Sequence, residues 1–230
     1  MQVRDGERQG WYAAPKTPSR RGVVIIHEIA GLNDDMRRIA GIFAEHGYHA
    51  LVPRLFRSFG CLLRSLRELN SGPGSGEVAD EVESWRQWLG HLQGAEQVAV
   101  CGFCMGGGFA LGFAATHGDR GLPVVAAHYA AVPDDVSRSC PVVASYGEKD
   151  RLFRNAGQKL TEELARHGID HDVKTYPGVG HSFMQRYGGW QQLFVKVPGP
   201  MAITYDEATA NDAWRRLFTF FDRHLSQPEG

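Results

Sequence analysis

The sequence predicts an α/β protein, a mostly parallel sheet covered by helices on both faces. Three observations predict it. Short apolar runs of strand length alternate with stretches of helical period along the 230 residues. Those runs, such as Val23-Val24-Ile25-Ile26, are apolar at consecutive positions, as strands buried on both faces are. A hydrophobic content of 43% against 22% charged residues supplies a sizeable core.

The elements follow in order. Residues 22–27 read as the first core strand. A helix begins near Asp35, with Met36, Ile39, Ala40, Phe43 and Ala44 spaced i, i+3, i+4, i+7, i+8 on one face. Asn33 or Asp34 can cap it and Gly47 ends it. Residues 48–52 form the next strand, stopped by Pro53. Residues 55–76 carry no clear period; they are rich in Arg and end in the loop sequence Ser71-Gly72-Pro73-Gly74-Ser75-Gly76. A helix is expected over 77–92, with Val78, Val82, Trp85, Leu89 and Leu92 on one face, then a strand over 98–101 and a small-residue helix over 105–116. Strands over 124–129 and 142–146, a helix over 155–167, a strand over 171–176 and a closing helix over 206–225 complete the pattern. Strands alternating with helices argue for a parallel sheet, whose ligands sit at the carboxyl ends of the strands. With no repeat and no linker, residues 1–230 are expected to form a single domain.

The formal net charge is −1 and the pI about 6.8, so no basic stripe points to nucleic acid. No apolar run approaches the roughly 18 residues needed to span a bilayer, and the polar start lacks the apolar core of a signal peptide. The expectation is a cytoplasmic protein, with Cys61, Cys101, Cys104 and Cys140 as thiols. No motif calls for a metal or cofactor, and none is expected. A monomer or small homo-oligomer acting on a small molecule is expected.

The decisive segment is Val98 to Gly108. An apolar strand runs into Gly102-Phe103-Cys104-Met105-Gly106, which has the G-x-S-x-G spacing of a nucleophile elbow with Cys in place of Ser. The nucleophile of such an elbow sits on a sharp strand-to-helix turn, and the residues two before and two after it approach so closely that only Gly fits. The helix that begins at once favours a thiolate or oxyanion at its N-terminus. A phosphate-binding loop would need a Gly-Lys-Ser/Thr ending, which is absent. A redox pair of Cys101 and Cys104 is disfavoured, because Cys101 lies in the strand and reads as a small core residue. The elbow places the chain in the α/β-hydrolase fold, where the chain order is nucleophile, acid, His.

Two downstream segments fit that order. In Val142 to Asp150 a buried strand ends in Gly147-Glu148-Lys149-Asp150, presenting Asp150 at its carboxyl end. In Tyr176 to Phe183 another strand ends in a glycine-flanked loop that presents His181. A free thiol is little ionised at neutral pH; a histidine raises its thiolate fraction and then protonates the leaving alkoxide, while an acid on the other ring nitrogen fixes the tautomer. Glu148, Asp134 and Asp135 are rival acids. The nine other histidines, His27 among them, lie in or beside ordinary elements as packing or solvent residues.

These segments resemble the dienelactone hydrolase family. The matching pieces are His27-Glu28-Ile29-Ala30-Gly31-Leu32-Asn33, Gly102-Phe103-Cys104-Met105-Gly106-Gly107, Gly147-Glu148-Lys149-Asp150 and Gly180-His181-Ser182-Phe183, in the family's order. The N-terminus looks a strand or so shorter than in the family. The resemblance implies a cysteine-dependent hydrolase of a small ester or lactone, with Glu28 holding the resting thiol away from the histidine until substrate binds. A buried structural carboxylate is the alternative for Glu28, at a cost that argues for a purpose. The resemblance also puts the oxyanion hole at the backbone N–H groups of Ile29 and Met105. Family members acting on dienelactone hold the substrate carboxylate with arginines, one of them four residues after the histidine. That position is Gln185 here, with Arg186 one further on; both, together with Phe103, are candidate substrate contacts. Arg54, Arg57, Arg64 and Arg67 could supply the missing charge or be solvated surface.

Two other classes compete. A non-catalytic ligand-binding protein of the same fold usually lacks a triad member, and here all three are present. A thiol redox protein would use Cys104, with Cys101 as its only sequence-near partner.

Overall fold

A computed structural model describes residues 1–55, 59–71, 74–188 and 199–225. Eight strands form one sheet: β1 (Gln2–Asp5), β2 (Arg8–Ala13), β3 (Arg21–Ile26), β4 (His49–Pro53), β5 (Gln97–Phe103), β6 (Val125–His128), β7 (Val142–Gly147) and β8 (His171–Tyr176). Their order is β1-β2-β4-β3-β5-β6-β7-β8. The first two pairings are antiparallel and every later one is parallel. The helices are α1 (Asp34–Glu45), α2 (Phe59–Ser71), α3 (Glu77–Gln93), α4 (Met105–His117), α5 (Ala156–Arg166) and α6 (Glu207–His224).

Each core strand feeds two cores. Val24 and Ile26 of β3 point to the layer holding α3, α4 and α5, while Val23 and Ile25 point to the layer of α1 and α6. That alternation explains the unbroken apolar run, since both faces of the strand are covered. The expected Asn33 cap is present, its side chain accepting from the Met36 N–H at 2.9 Å.

Three elements, β1, β2 and α2, were not foreseen. The β1–β2 hairpin is short, polar and at the sheet edge, so it lacks an apolar run. Helix α2 fills the Arg-rich region that showed no period, and packs Leu62, Leu66 and Leu69 against the core. The predicted site of Arg57, the Gly72-Pro73 part of the loop and the Leu92 side chain lie outside the described residues. Among the described residues no helix is long and apolar enough to cross a membrane.

Candidate active site

Four strand ends converge at the carboxyl edge of the sheet. The loop after β3 brings Glu28, the turn after β5 brings Cys104, the turn after β7 brings Asp150 and the loop after β8 brings His181.

Cys104 lies between strand and helix with φ 54° and ψ −118°, a conformation that L side chains rarely adopt. The flanking glycines allow it. A Cβ on Gly102 would lie 2.1 Å from the Gly106 carbonyl oxygen, and one on Gly106 would lie 2.2 Å from the Ile26 oxygen. The turn at Cys104 is therefore pressed directly against the end of β3, where the Glu28 loop begins. The Cys104 carbonyl accepts from Gly107 and Gly108, closing the first turn of α4. The Met105 N–H, at the first helical position, meets no acceptor among the described residues, and neither does that of Ile29.

His181 and Asp150 are both buried, and His181 Nδ1 lies 2.5 Å from Asp150 Oδ2. The other carboxylate oxygen of Asp150 accepts from the Leu152 N–H at 3.1 Å, which sets its plane. Rings of Tyr129 and Phe153 pack on His181, at 4.9 and 5.6 Å between centroids. Nε2 has no hydrogen-bond partner among the described residues; the Cys104 thiol lies near enough to act on the ring's pKa. Burial disfavours the imidazolium, but the hydrogen bond to Asp150 and the interaction with Cys104 outweigh it and raise the His181 pKa to about 9. Glu148 instead caps the Gly178 N–H at 2.9 Å, and Asp134 pairs with Lys159 at the surface.

Glu28 is 4% exposed. Burial raises its pKa to about 7, against the lowering effect of a hydrogen bond from Tyr187 and the nearby His181. Tyr187 lies at the centre of a network foreseen from no motif. Its hydroxyl is 3.0 Å from Ser182 Oγ, 3.3 Å from Glu28 Oε2 and 3.3 Å from Gln185 Oε1. Asn33 reaches Glu28 Oε1 at 3.4 Å. In this conformation the Glu28 carboxyl group is engaged by Tyr187 and Asn33.

The raised Glu28 pKa has a consequence for stability. The unfolded chain loses this proton near 4.5 and the folded chain near 7, so folding stability falls as pH rises through that window. His181 acts in the same direction between 6.5 and 9. At pH 8 the buried Glu28 charge costs up to about 3 kcal/mol, which a neutral isostere escapes. Glu28→Gln is therefore expected to unfold several degrees above the parent at pH 8, with the gap closing below pH 5. Thermal unfolding at the two pH values checks this; an equal gap at both would contradict it.

Of the three candidate substrate residues, Phe103 and Arg186 lie away from the site. Phe103 is fully buried in the core against His128, Tyr129 and Trp214, behind Cys104. It lies there because alternate residues of β5 face opposite layers. Arg186 is exposed and turned away, donating to the Tyr205 hydroxyl at 2.7 Å and pairing with Glu207 at 3.6 Å. Gln185 is the residue brought into the site; it is buried, its amide nitrogen has no acceptor among the described residues and its oxygen faces Tyr187. Arg54 is exposed, and Arg64 lies by Glu77.

A mostly parallel sheet with helices on both faces and a sharp strand-to-helix elbow after β5 defines the α/β-hydrolase fold. Within that class the chain belongs to the dienelactone hydrolase family, whose family model matches residues 9–225. It is a hydrolase of the carboxylic ester and lactone class. A carboxymethylenebutenolidase of Rhodococcus opacus is 25% identical, with 94% of this chain and 86% of the relative aligned. Among solved structures, a dienelactone hydrolase-like promiscuous phosphotriesterase from metagenomic libraries superposes with a TM-score of 0.72 at 22% identity, covering 98% of this chain and 97% of the other. The dienelactone hydrolase of Anabaena variabilis gives 0.68 at 17% identity, with 98% and 97% covered. These likenesses show the same fold.

Proposed function

We propose that this protein cleaves a small ester or lactone through a triad of Cys104, His181 and Asp150, by way of a thioester acyl-enzyme. The observation that carries the reading is the buried 2.5 Å contact between His181 and Asp150, with the Cys104 thiol near enough to help raise the ring's pKa. Cys104 Sγ attacks the carbonyl carbon and His181 takes up the thiol proton. The negative charge develops on the carbonyl oxygen, where the Ile29 and Met105 N–H groups would receive it. The C–O bond to the leaving group then breaks, and His181 Nε2–H protonates the departing alkoxide. A water molecule next attacks the thioester, giving its proton to His181; the acid leaves and the thiol is restored. Asp150 keeps the imidazolium oriented throughout.

Glu28 is the proposed keeper of the resting thiol, and its pKa near 7 lets it change charge in the physiological range. The name of the Rhodococcus relative points to a lactone carrying a carboxylate. Here Gln185 offers a neutral amide and Arg186 is engaged with Tyr205 and Glu207, which supports a substrate that is uncharged at that position. A redox role finds no support in Cys101, which is buried in β5 with its thiol pushed well up by burial.

The acid is tested with an activated aryl acetate. Asp150→Asn is expected to fold and to lose about 10–10³-fold in kcat, less than the roughly 10⁴-fold of a serine triad because a thiol is intrinsically more acidic. Full activity in Asp150→Asn together with inactive Glu148→Gln or Asp134→Asn would assign the acid elsewhere.

A further inference from the structure

We propose that His27 is a positioning residue that fixes the oxyanion-hole peptide through the carbonyl of Glu28; the proposal rests on the hydrolytic reading of Cys104 above. The His27 ring holds a backbone group on each of its nitrogens. His27 is fully buried immediately after β3. The backbone N–H of Leu55, just beyond β4, lies 3.2 Å from Nε2. A backbone N–H only donates, so Nε2 accepts and the ring proton sits on Nδ1. Nδ1 lies 2.7 Å from the Glu28 carbonyl oxygen and donates to it.

That carbonyl and the Ile29 N–H belong to one planar peptide unit and point in opposite directions. Holding the oxygen toward the protein interior therefore aims the Ile29 N–H the other way. The Ile29 N–H has no acceptor among the described residues. The peptide follows directly on the backbone at Ile26 and His27, against which Gly106 is packed. An oxyanion formed on a Cys104 adduct is thus the group this donor is free to meet. The Gly31 N–H also donates to the Glu28 oxygen, at 3.0 Å, so His27 shares the task with the turn. Burial lowers the His27 pKa to about 4, which keeps Nε2 an acceptor at neutral pH.

Two substitutions separate the bonds. The amide nitrogen of Asn falls near the Nδ1 position, so His27→Asn can keep the bond to Glu28 while losing Leu55. The amide of Gln falls near Nε2, so His27→Gln can keep Leu55 while losing Glu28. Each variant is assayed for aryl acetate turnover and for the rate at which iodoacetamide alkylates Cys104. Alkylation displaces iodide and develops no oxyanion, so it reports thiol reactivity alone. The expected result is a kcat loss of about ten-fold or more in His27→Gln, below the 10²–10³-fold of deleting an oxyanion donor outright because Gly31 remains. KM and the alkylation rate stay within about two-fold, and His27→Asn loses less kcat. If His27→Gln keeps its kcat, the proposal is overturned. The same follows if both variants lose turnover and alkylation together, in proportion to a lowered Tm. Either failure leaves Cys104 catalysis standing, since that is read separately from Cys104→Ala.

Discussion

Cys104→Ala is expected to abolish hydrolysis of an activated ester, a loss of about 10⁴-fold or more, and His181→Ala to come close to it. The reason is that neither role has a substitute among the described residues. Of the other cysteines, Cys101 and Cys140 are buried with their thiols pushed up by burial, and Cys61 sits on α2. Among the described residues no other histidine near Cys104 carries a buried carboxylate on its ring: His128 is enclosed by Phe103 and Trp214, and His27 is committed to backbone groups. Cys104→Ala should fold, because it removes one sulfur atom and orphans no charge; His181→Ala leaves the buried Asp150 carboxylate without its partner, so a lowered Tm is expected and its rate is read on the folded fraction. Steady-state rates together with Tm check this. Residual activity above a tenth of the parent in a folded Cys104→Ala would move the nucleophile elsewhere.

Gly106→Ala is expected to cost about 3 kcal/mol or more of stability, with turnover lost in whatever fraction still folds. The added methyl would lie 2.2 Å from the Ile26 oxygen and 2.6 Å from the His27 oxygen, both backbone atoms that cannot rotate away. Relief requires α4 and the end of β3 to separate, which takes the nucleophile from the Glu28–Ile29 loop. Gly41 is the control. It lies within α1, where an added Cβ meets nothing within 4 Å, so Gly41→Ala should gain about 0.5–1 kcal/mol from helix propensity. Chemical denaturation measures both. A Gly106→Ala variant as stable as the parent would show that the elbow is not pressed against β3 as described.

Much of this site was legible because its residues announce themselves locally. The elbow needs glycines two before and two after the nucleophile, and those glycines stand in the sequence at Gly102 and Gly106. Asp150 and His181 each follow an apolar strand and a glycine turn, and a Cβ on Gly147 would strike the Gly180 oxygen at 2.2 Å, so the two turns are packed on one another. What stayed hidden depends on meetings between distant segments. Tyr187 carries no motif, yet it links Glu28 to Ser182 and Gln185 because the loop after β8 crosses the loop after β3. His27 looked like any packing histidine until its ring was seen bridging β3 and β4. Arg186 was legible as a charge but not as a direction; Tyr205 and Glu207, on another segment, take it up. The β1–β2 hairpin escaped because an edge strand needs few apolar residues, and α2 because its apolar stripe is diluted by Arg64 and Arg67.

The nucleophile itself is tested most directly by intact-protein and peptide mass spectrometry after acid quench of the enzyme turning over a slowly deacylating aryl ester. Acid preserves a thioester and stops its hydrolysis. The predicted result is one added acyl group, located on Cys104, accumulating in the parent and, under the same conditions, missing from Cys104→Ala. An acyl group on a different residue, or full turnover by Cys104→Ala with no covalent species, would contradict the account.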